Sequence, residues 1–463
     1  MLPIPFDYLD KICMAASSRE HGISSAPVWQ LHVEGEFDEE VGALAIQALA
    51  RRFPVVVSKA VSLHRGGSVQ QARKLAYQPE SPPDMGRLFN IVDLTDSPAD
   101  FPAVQQRIFD NFMDLEQDYP VRITWVRRSA SSGVLMMQQH HGIADGRAFF
   151  GLIGTLCRYY DAVLQGTLPR SIQPMAKLAE ATVAEPSRWK RLLFRFPGTL
   201  MHIRNLVRYA FHPPDQLVSN LATDFTGHNQ VIHHDVDTDL VRRIRGLKAA
   251  SGHSTNDILT TAMALSLASW SEEQQHPVRW FNLLIPADIR PRNWSLESFA
   301  NHLSSFLVDL DLRRYGDPLA LLGSVHEQIR KQASRRAPLK KVLAEIAVAK
   351  MVSLARVRKA VFAPQRTILN FPFSNLVSLS PPDGEDRFFT SRWSAEQLRI
   401  MTPCAWLQGA NTTVIKYNGQ LSFNFNHTQS SVTTPLAQRL VSHYDLALMD
   451  LVDRLAGSRR SAE

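Results

Sequence analysis

The segment from residue 121 to residue 163 constrains the fold more than any other part of this sequence. Two apolar stretches, Val121 to Arg127 and Val134 to Gln139, flank a turn that carries Ser-Ser-Gly, and this pattern predicts an antiparallel pair of strands. A helix is predicted shortly after them, because apolar residues recur there at helical spacing. Its apolar positions are Phe149, Ile153, Leu156, Tyr160 and Val163. The seven residues from His140 to Gly146 therefore lie between a strand and a helix, where a rigid frame can present reactive side chains.

Strand and helix patterns also alternate on either side of this segment. Val28 to Val33 predicts a strand and Asp38 to Arg52 predicts a helix. The same order returns later in the chain with Gln230 to Val236 and Thr238 to Ser251. Strands mixed with helices and hairpins predict an α/β or α+β fold with mixed sheets.

A proline-rich connector separates these two parts of the chain. It contains a basic stretch, Arg188 to Arg208, in which arginine and lysine alternate with apolar residues. Such a stretch either lies on a membrane surface or forms a linker helix that packs on the protein body. We predict an N-terminal half at residues 1–172, a basic linker at 173–222 and a C-terminal half at 223–463.

Four local predictions can be compared directly with a structure. Val55 to Val57 is predicted to be a short buried strand, after Phe53-Pro54 ends the preceding helix. Residues 64–90 are polar and contain several prolines and glycines, so we expect hairpin and loop. A long basic helical region is predicted from Leu319 to Val361, and a strand from Thr367 to Phe371.

Charge and composition narrow the classes of partner and compartment. The 463-residue chain has a formal net charge of +7, which favours acidic partners such as a nucleotide phosphate, an acidic carrier protein or an anionic membrane. No nucleic-acid-binding signature is found, so nucleic acid is not expected. The three widely spaced cysteines make no disulfide framework, and the first residues contain no basic leader. The longest uncharged apolar run, Ile258 to Trp270, is shorter than the ~20 residues that span a bilayer. A cytoplasmic location is expected.

The residues from His140 to Gly146 suit general-base catalysis. Acyl transfer to an alcohol or amine requires a base that takes a proton from the attacking group, and imidazole, with an ordinary pKa of ~6.5, suits that task. Adjacent residues of an extended segment face opposite sides, so only one histidine can face a cavity. Asp145 is expected to cap the next helix or to pair with an arginine. Gly146 is expected to allow a close backbone approach or a positive φ angle.

Each of these residues also has a purely structural interpretation. Asp145 is an ordinary helix N-cap residue, and His140 is expected to support the turn rather than to react. For His141 the alternative is a loop histidine that is fully hydrogen-bonded.

The run His140-His141-Gly142-Ile143-Ala144-Asp145-Gly146 resembles the signature of the condensation-domain and CoA-dependent acyltransferase superfamily, which includes chloramphenicol acetyltransferase and polyketide-associated acyltransferases. The resemblance extends over nearly the whole chain. Further similar segments are Leu31 to Gly35, Arg51 to Pro54, Ser254 to Ile258, Ile285 to Arg290, Phe373 to Leu376 and Tyr417 to Leu421.

This resemblance implies two chloramphenicol-acetyltransferase-like halves arranged in a V, with a tunnel between them. A thioester donor and an alcohol or amine acceptor would meet at the second histidine, His141, without an acyl-enzyme and without a permanently bound cofactor. The donor would be acyl-CoA or the phosphopantetheinyl thioester of an acyl carrier protein. Asp145 would be structural and pair with Arg290. Ser374 and Asn375 would lie near the tunnel, although Val377 stands where glycine is common.

Two other groups of residues have competing interpretations. A basic cluster in the C-terminal half either contacts the phosphates of CoA or an acidic carrier protein, or forms a solvated helix face. Its members are Lys331, Arg335, Arg336, Lys340 and Lys341. The sequence His233-His234-Asp235 looks like a metal cluster, but neighbouring strand residues face opposite sides, so no metal site is predicted.

The leading hypothesis is a standalone acyltransferase that forms an ester or amide in specialised-metabolite or lipid biosynthesis, including polyketide or nonribosomal peptide assembly. The Asp-Phe-Gly-Trp-Gly run of the plant-type branch and the Pro-Leu-Trp of the wax-ester branch are not found. Two alternatives remain open: a noncatalytic module that docks a carrier protein, and an isomerase or cyclase that acts on a carrier-tethered substrate.

Overall fold

The computed structural model describes most of the chain. The described residues are 2–20, 22–64, 67–175, 200, 204, 207–209, 211–217, 229–290, 299–314, 316–334, 337–342, 345, 352–361, 371–381, 385–404 and 409–460.

Within these residues, strands and helices are mixed along the whole chain. The strands are β1 (Ile4–Pro5), β2 (Val28–Gly35), β3 (Ser58–Ser62), β4 (Leu75–Pro79), β5 (Phe89–Asp93), β6 (Val121–Ser129), β7 (Ser132–Gln139), β8 (Asn229–Asp235), β9 (Trp280–Asp288), β10 (Leu303–Asp311), β11 (Phe371–Asn375), β12 (Trp393–Met401), β13 (Ala410–Tyr417) and β14 (Gln420–Thr428). The α-helices are α1 (Tyr8–Ala16), α2 (Glu39–Arg52), α3 (Met85–Leu88), α4 (Phe101–Asp110), α5 (Gly146–Leu164), α6 (Thr238–Ser251), α7 (Thr255–Glu273), α8 (Pro318–Ser334), α9 (Leu354–Val361) and α10 (Thr434–Arg460).

The first large sheet has the strand order β12-β2-β7-β6-β5 and is antiparallel except for the parallel pair β5–β6. Both of its faces are covered, because alternate residues of β7 enter different apolar clusters. Leu135 packs on the side of Phe149 and Ile153 of α5, whereas Met136 packs on the side of Phe109 of α4. The strand that ends at the His140 loop is therefore buried over almost its entire length.

The second large sheet has the order β10-β9-β11-β13-β14-β8. Its short strand β11 is parallel to both β9 and β13, and the other pairs are antiparallel. Helices α6, α7 and α10 share its apolar core, in which Leu259, Phe423 and Tyr444 are buried. The predicted fold class, α/β with mixed sheets, is confirmed.

Strand β12 departs from the predicted division into halves. It belongs to the C-terminal half by sequence, but it pairs with β2 of the first sheet, with Ile400 opposite Trp29 and Leu398 opposite Leu31. Arg399 of the same strand forms an ion pair with Asp235 of β8, at 2.6 Å. The boundary at residue 223 therefore does not separate the two sheets, because β12 completes the first one.

Several local predictions need correction. Val55–Val57 belongs to a 3-10 turn that starts at Pro54, because proline supplies the helical φ angle of a first turn, and the strand begins only at Ser58. The hairpin predicted within residues 64–90 is confirmed, since β4 pairs antiparallel with β3, but the short helix α3 in the same range was not predicted. The predicted helical region over 319–361 is helical at Pro318–Ser334 (α8), at 337–342 and at Leu354–Val361 (α9), but not at 352–353. Residues 335–336 and 346–351 lie outside the described residues.

Other predictions fall partly outside the described residues. Strand β11 begins at Phe371, and residues 367–370 of the predicted strand are not described. Most of the predicted linker, including 176–199, is likewise outside the described residues. Among the helices that the structure describes, none combines the length and the apolar character needed to cross a membrane.

Candidate active site

The loop between β7 and α5 is fixed to its surroundings by its backbone. The N–H of His140 donates to the carbonyl oxygen of Pro120 at 2.8 Å, and the N–H of His141 donates to that of Ser25 at 2.7 Å. The loop then turns, with the N–H of Ile143 donating to the carbonyl oxygen of His140 at 3.1 Å. The backbone of both histidines is thus held by segments on either side of the loop.

His140 is completely buried, and both of its ring nitrogens are used. Its Nδ1 accepts a hydrogen bond from the N–H of Gly142 at 3.1 Å, and its Nε2 lies 3.1 Å from Oγ of Ser17. Burial, assisted by the neighbouring His141, lowers the pKa of His140 to about 3, so the ring is neutral. A neutral imidazole that accepts at Nδ1 carries its proton on Nε2, which therefore donates to Ser17. His140 supports the turn.

The two glycines of the loop meet different constraints. A Cβ at Gly142 would lie 2.9 Å from Nδ1 of His140 and 3.2 Å from the hydroxyl of Tyr77, so a side chain does not fit without movement. Gly146 starts α5 without a positive φ angle, and a Cβ there would meet Trp29 and Leu376 at ordinary contact distances. The positive φ predicted as one option for Gly146 is wrong, and the close approach occurs at Gly142.

His141 differs from its neighbour because its backbone is held by hydrogen bonds, whereas its ring makes none that is recorded among the described residues. Its carbonyl oxygen accepts a hydrogen bond from Nδ2 of Asn301 at 2.8 Å. The residue is half-buried, and its buried Nδ1 has no hydrogen-bond partner among the described residues. The part of His141 that solvent reaches is therefore not Nδ1.

Asp145 both caps the following helix and pairs with an arginine, the two roles that the sequence left open. Its Oδ1 accepts from the N–H of Ala148 at 3.0 Å, which caps α5, and from Nη2 of Arg290 at 2.8 Å. Its Oδ2 accepts from the N–H of His302 at 2.7 Å. The side chains of Asp145 and Arg290 are only 4% and 5% exposed, so this ion pair is shielded from solvent.

The charges in this pair stabilise each other. Burial alone would raise the pKa of Asp145, but the charge of Arg290 and the three hydrogen bonds outweigh it, and the pKa falls below its ordinary value. Arg290 also contacts Asp288 at 3.3 Å and donates to the carbonyl oxygen of Ala300 at 3.0 Å. Asp145 is therefore a buried carboxylate whose negative charge is fully compensated.

Sequence reasoning missed Asn301 and His302, which precede β10. Nδ2 of Asn301 donates to the carbonyl oxygens of both His141 and Gly142, at 2.8 Å each. Both residues are buried, at 6% and 1% exposure. An Asn-His pair at the start of an apolar strand is a weak signal of buried polar contacts. The sequence does not indicate the partners, because they lie 157 to 160 positions earlier in the chain.

Ser374 and Asn375 lie at the end of β11. Ser374 is paired with Thr413 of β13, and Asn375 donates from Nδ2 to Oδ1 of Asn256 at 2.9 Å. Oδ1 of Asn375 accepts from the N–H of Val377 at 3.0 Å, so the chain turns there although Val377 is not a glycine. The next residue, Leu376, approaches Gly146 and so connects this end of β11 to the start of α5.

The predicted basic cluster is only partly described. Nζ of Lys341 donates to Oγ of Ser305 at 2.5 Å and lies 3.8 Å from Glu345, so its charge is already in use within the protein. Lys331 lies on α8, and Lys340 is half-buried. Arg335 and Arg336 fall outside the described residues.

The two histidines of β8 face different partners. Nδ1 of His233 lies 2.7 Å from Oδ1 of Asn424, and Nε2 of His234 lies 2.9 Å from Oδ1 of Asp445. They do not converge on one point, as expected for neighbours in a strand.

Comparisons with known proteins identify this architecture. The structure matches the first condensation domain of the calcium-dependent antibiotic synthetase with a TM-score of 0.71 and 12% identity, over 97% of this chain and 96% of the other. It matches the epimerization domain from the third module of tyrocidine synthetase B with a TM-score of 0.70 and 14% identity, over 99% and 98%. It also matches the starter condensation domain of rhizomide synthetase RzmA, in complex with C8-CoA, with a TM-score of 0.64 and 12% identity, over 98% and 95%.

No protein-family model and no curated protein sequence matches this chain. The likeness to these proteins is therefore one of fold. Because the matches extend over nearly the full length of both chains, the protein has the condensation-domain fold that its sequence resemblance predicted.

Proposed function

We propose that the protein is an acyltransferase that moves an acyl group from a thioester to a hydroxyl or amine, with His141 as the general base. One observation carries this proposal. His141 has both backbone polar groups held, yet its ring makes no hydrogen bond through the buried Nδ1 to any described residue. A buried polar atom without a partner destabilises the fold, so its presence calls for an explanation such as a functional role.

The chemistry follows from the two nitrogens of one imidazole. Since Nδ1 is sealed from solvent, Nε2 would take the proton of the acceptor as its oxygen or nitrogen attacks the thioester carbonyl. The C–S bond then breaks, and the departing sulfur receives that proton from the imidazolium. The products are the ester or amide and a free thiol, and the histidine returns to its neutral state. A general base of this kind contributes typically ~10²–10⁴-fold.

The loop that carries His141 is held from the other half of the chain. Arg290 holds Asp145, Asn301 holds the carbonyl oxygens of His141 and Gly142, and the N–H of His302 completes the contacts of Asp145. A base whose position is fixed before the substrate arrives loses less entropy when the reaction begins. This support is consistent with a catalytic loop.

The donor class is proposed from charge and from likeness in fold. One structural neighbour is a starter condensation domain in complex with C8-CoA, and another is a condensation domain of an antibiotic synthetase with a substrate analogue. The net charge of +7 suits CoA phosphates or an acidic carrier protein. We therefore propose acyl-CoA or an acyl carrier thioester as the cosubstrate, in specialised-metabolite or lipid biosynthesis.

Structural likeness does not separate acyl transfer from isomerisation, because a condensation domain and an epimerization domain match at 0.71 and 0.70. Thiol release does separate them. Purified protein is incubated with a panel of acyl-CoAs and acyl carrier proteins, with and without alcohols and amines, and free thiol and product mass are measured. Acceptor-dependent thiol release by wild type is expected to fall ~10²-fold or more in His141→Ala.

The matched control is His64→Ala, which changes an exposed histidine and is expected to leave the rate unchanged. Thiol release that is equal in wild type and His141→Ala contradicts the proposed base. Conversion of a carrier-tethered substrate without thiol release favours the isomerase or cyclase, and carrier binding without conversion favours a docking module.

A further inference from the structure

We propose that His253, Asp257 and His326 form a binding site for a divalent transition-metal cation of the Zn²⁺ class. His253 immediately precedes Ser254, the N-cap of α7, and Asp257 lies in the first turn of that helix. His326 comes from the neighbouring helix α8. One ligand atom from each of the three side chains lies within 4.8 Å of the other two.

The carboxylate is the fixed part of this cluster. Oδ2 of Asp257 accepts from the N–H of Ser254 at 2.7 Å and lies 2.9 Å from Nδ1 of His326. The side chain of Asp257 is 3% exposed, whereas the two histidines are half-buried. A backbone donor that orients a carboxylate ligand is the kind of supporting contact that metal sites use.

His253 supplies a nitrogen that the protein itself does not use. Its Nδ1 is buried and has no hydrogen-bond partner among the described residues. Its ring lies edge-on to that of His326, with 5.1 Å between the centroids. A cation between the two rings would satisfy this nitrogen.

The donor set favours one class of metal. Two imidazole nitrogens with one carboxylate oxygen suit Zn²⁺, whereas Ca²⁺ and Mg²⁺ prefer oxygen ligands. Metal–ligand distances of ~2.0–2.2 Å place the ligands of a tetrahedral site roughly 3.3 Å apart. The Asp257–His326 pair at 2.9 Å would open slightly and His253 would move inward. Three protein ligands leave a fourth position for water or an external ligand.

The site shares no residue with the His141 loop and does not depend on the proposed acyl transfer. Its ligands would join the start of α7 to α8. The residue before Asp257, Asn256, accepts the hydrogen bond from Asn375, so the cation would also stiffen the segment that contacts the end of β11. Spacing in the sequence does not reveal the site, because His326 follows Asp257 by 69 positions.

The test measures metal binding directly. Tag-free full-length protein is treated with a chelator, dialysed and titrated with ZnCl₂ by calorimetry, and with Co²⁺ followed by visible absorption, which reports tetrahedral coordination. Wild type is expected to bind one equivalent and to gain thermal stability with Zn²⁺. His253→Ala and His326→Ala are expected to weaken binding by more than the ~10–100-fold that loss of a supporting residue costs.

The matched control is His276→Ala, an exposed histidine outside the cluster, which is expected to bind like wild type. His253→Ala keeps the Asp257–His326 contact, so the variant is expected to fold. Circular dichroism verifies its fold before the titration. Absence of binding by wild type overturns the proposal. Binding that is equally strong in both cluster variants overturns it too, because the metal then sits elsewhere.

Discussion

The two halves of the chain contribute different things to the candidate active site. The first half supplies the loop with His141, whose buried Nδ1 has no hydrogen-bond partner in the described part of the chain. The second half supplies Arg290, Asn301 and His302, which contact that loop only to hold it. Reactive group and supporting contacts are thus separated by about 150 positions, and a substitution far along the sequence can impair the chemistry without touching the histidine.

The largest expected effect comes from breaking the support that the second half gives. Arg290→Ala leaves the buried carboxylate of Asp145 uncompensated, and removal of one partner of such a pair costs about 3–5 kcal/mol. Urea unfolding of wild type and variant measures this loss. Arg147→Ala is the matched control, since its ion pair with Asp288 is exposed and is worth about 0–1 kcal/mol. Equal losses of unfolding free energy in the two variants would show that the buried ion pair stabilises the fold no more than the exposed one.

A smaller effect is expected from the first half, where two glycines of one loop can be compared. Gly142→Ala forces a Cβ against Nδ1 of His140, so we expect a loss of about 1–3 kcal/mol. Gly146→Ala meets only ordinary contacts and should change stability by less than about 1 kcal/mol. Thermal or urea unfolding of both variants measures the difference. A larger loss for Gly146→Ala would contradict the packing described for this loop.

Asn301→Ala is expected to reduce activity more than stability. The change removes the donor to the carbonyl oxygens of His141 and Gly142, so the histidine loses its fixed position while the buried core is kept. We expect kcat to fall about 10-fold, equivalent to about 1.4 kcal/mol, with little change in KM. Steady-state kinetics with the substrates found in the thiol-release panel measures both. A rise in KM at constant kcat would instead indicate a substrate-binding role.

A pH dependence of stability is expected from His140. Its pKa is about 3 in the folded protein and ~6.5 in the unfolded chain, so the unfolded state takes up the proton first as pH falls. The stability from His140 is complete above pH ~6.5 and is lost progressively toward pH ~3. His140→Gln removes this titration, so it should lose less stability than wild type between about pH 7 and about pH 5. If wild type and His140→Gln lose equal unfolding free energy over this pH range, His140 is not held neutral in the folded protein.

Features that depend on neighbouring residues could be predicted from the sequence. The strand pair, the loop and the helix that starts at Gly146 follow from local periodicity, and Asp145 follows as a cap. The pairing of Arg290 with Asp145 was expected only through the family resemblance, because nothing local connects the two positions.

Features that depend on distant contacts could not be predicted in this way. Strand β12 joins the first sheet through backbone pairing with β2, and any extended apolar segment offers the same backbone groups. Asn301 holds the loop through hydrogen bonds from its side-chain amide to two backbone carbonyl oxygens. Every residue has such a carbonyl, so the sequence does not indicate which ones are bound. The 3-10 turn at Val55–Val57 was mistaken for a strand because three β-branched residues in a row fit both.

A double-mutant cycle determines whether the second half of the chain acts through His141. Acceptor-dependent thiol release is measured for wild type, His141→Ala, Asn301→Ala and the double variant. If Asn301 only positions His141, its removal costs about 10-fold in the wild-type background and nothing further when His141 is already absent. An equal loss in both backgrounds would show instead that Asn301 acts independently of His141.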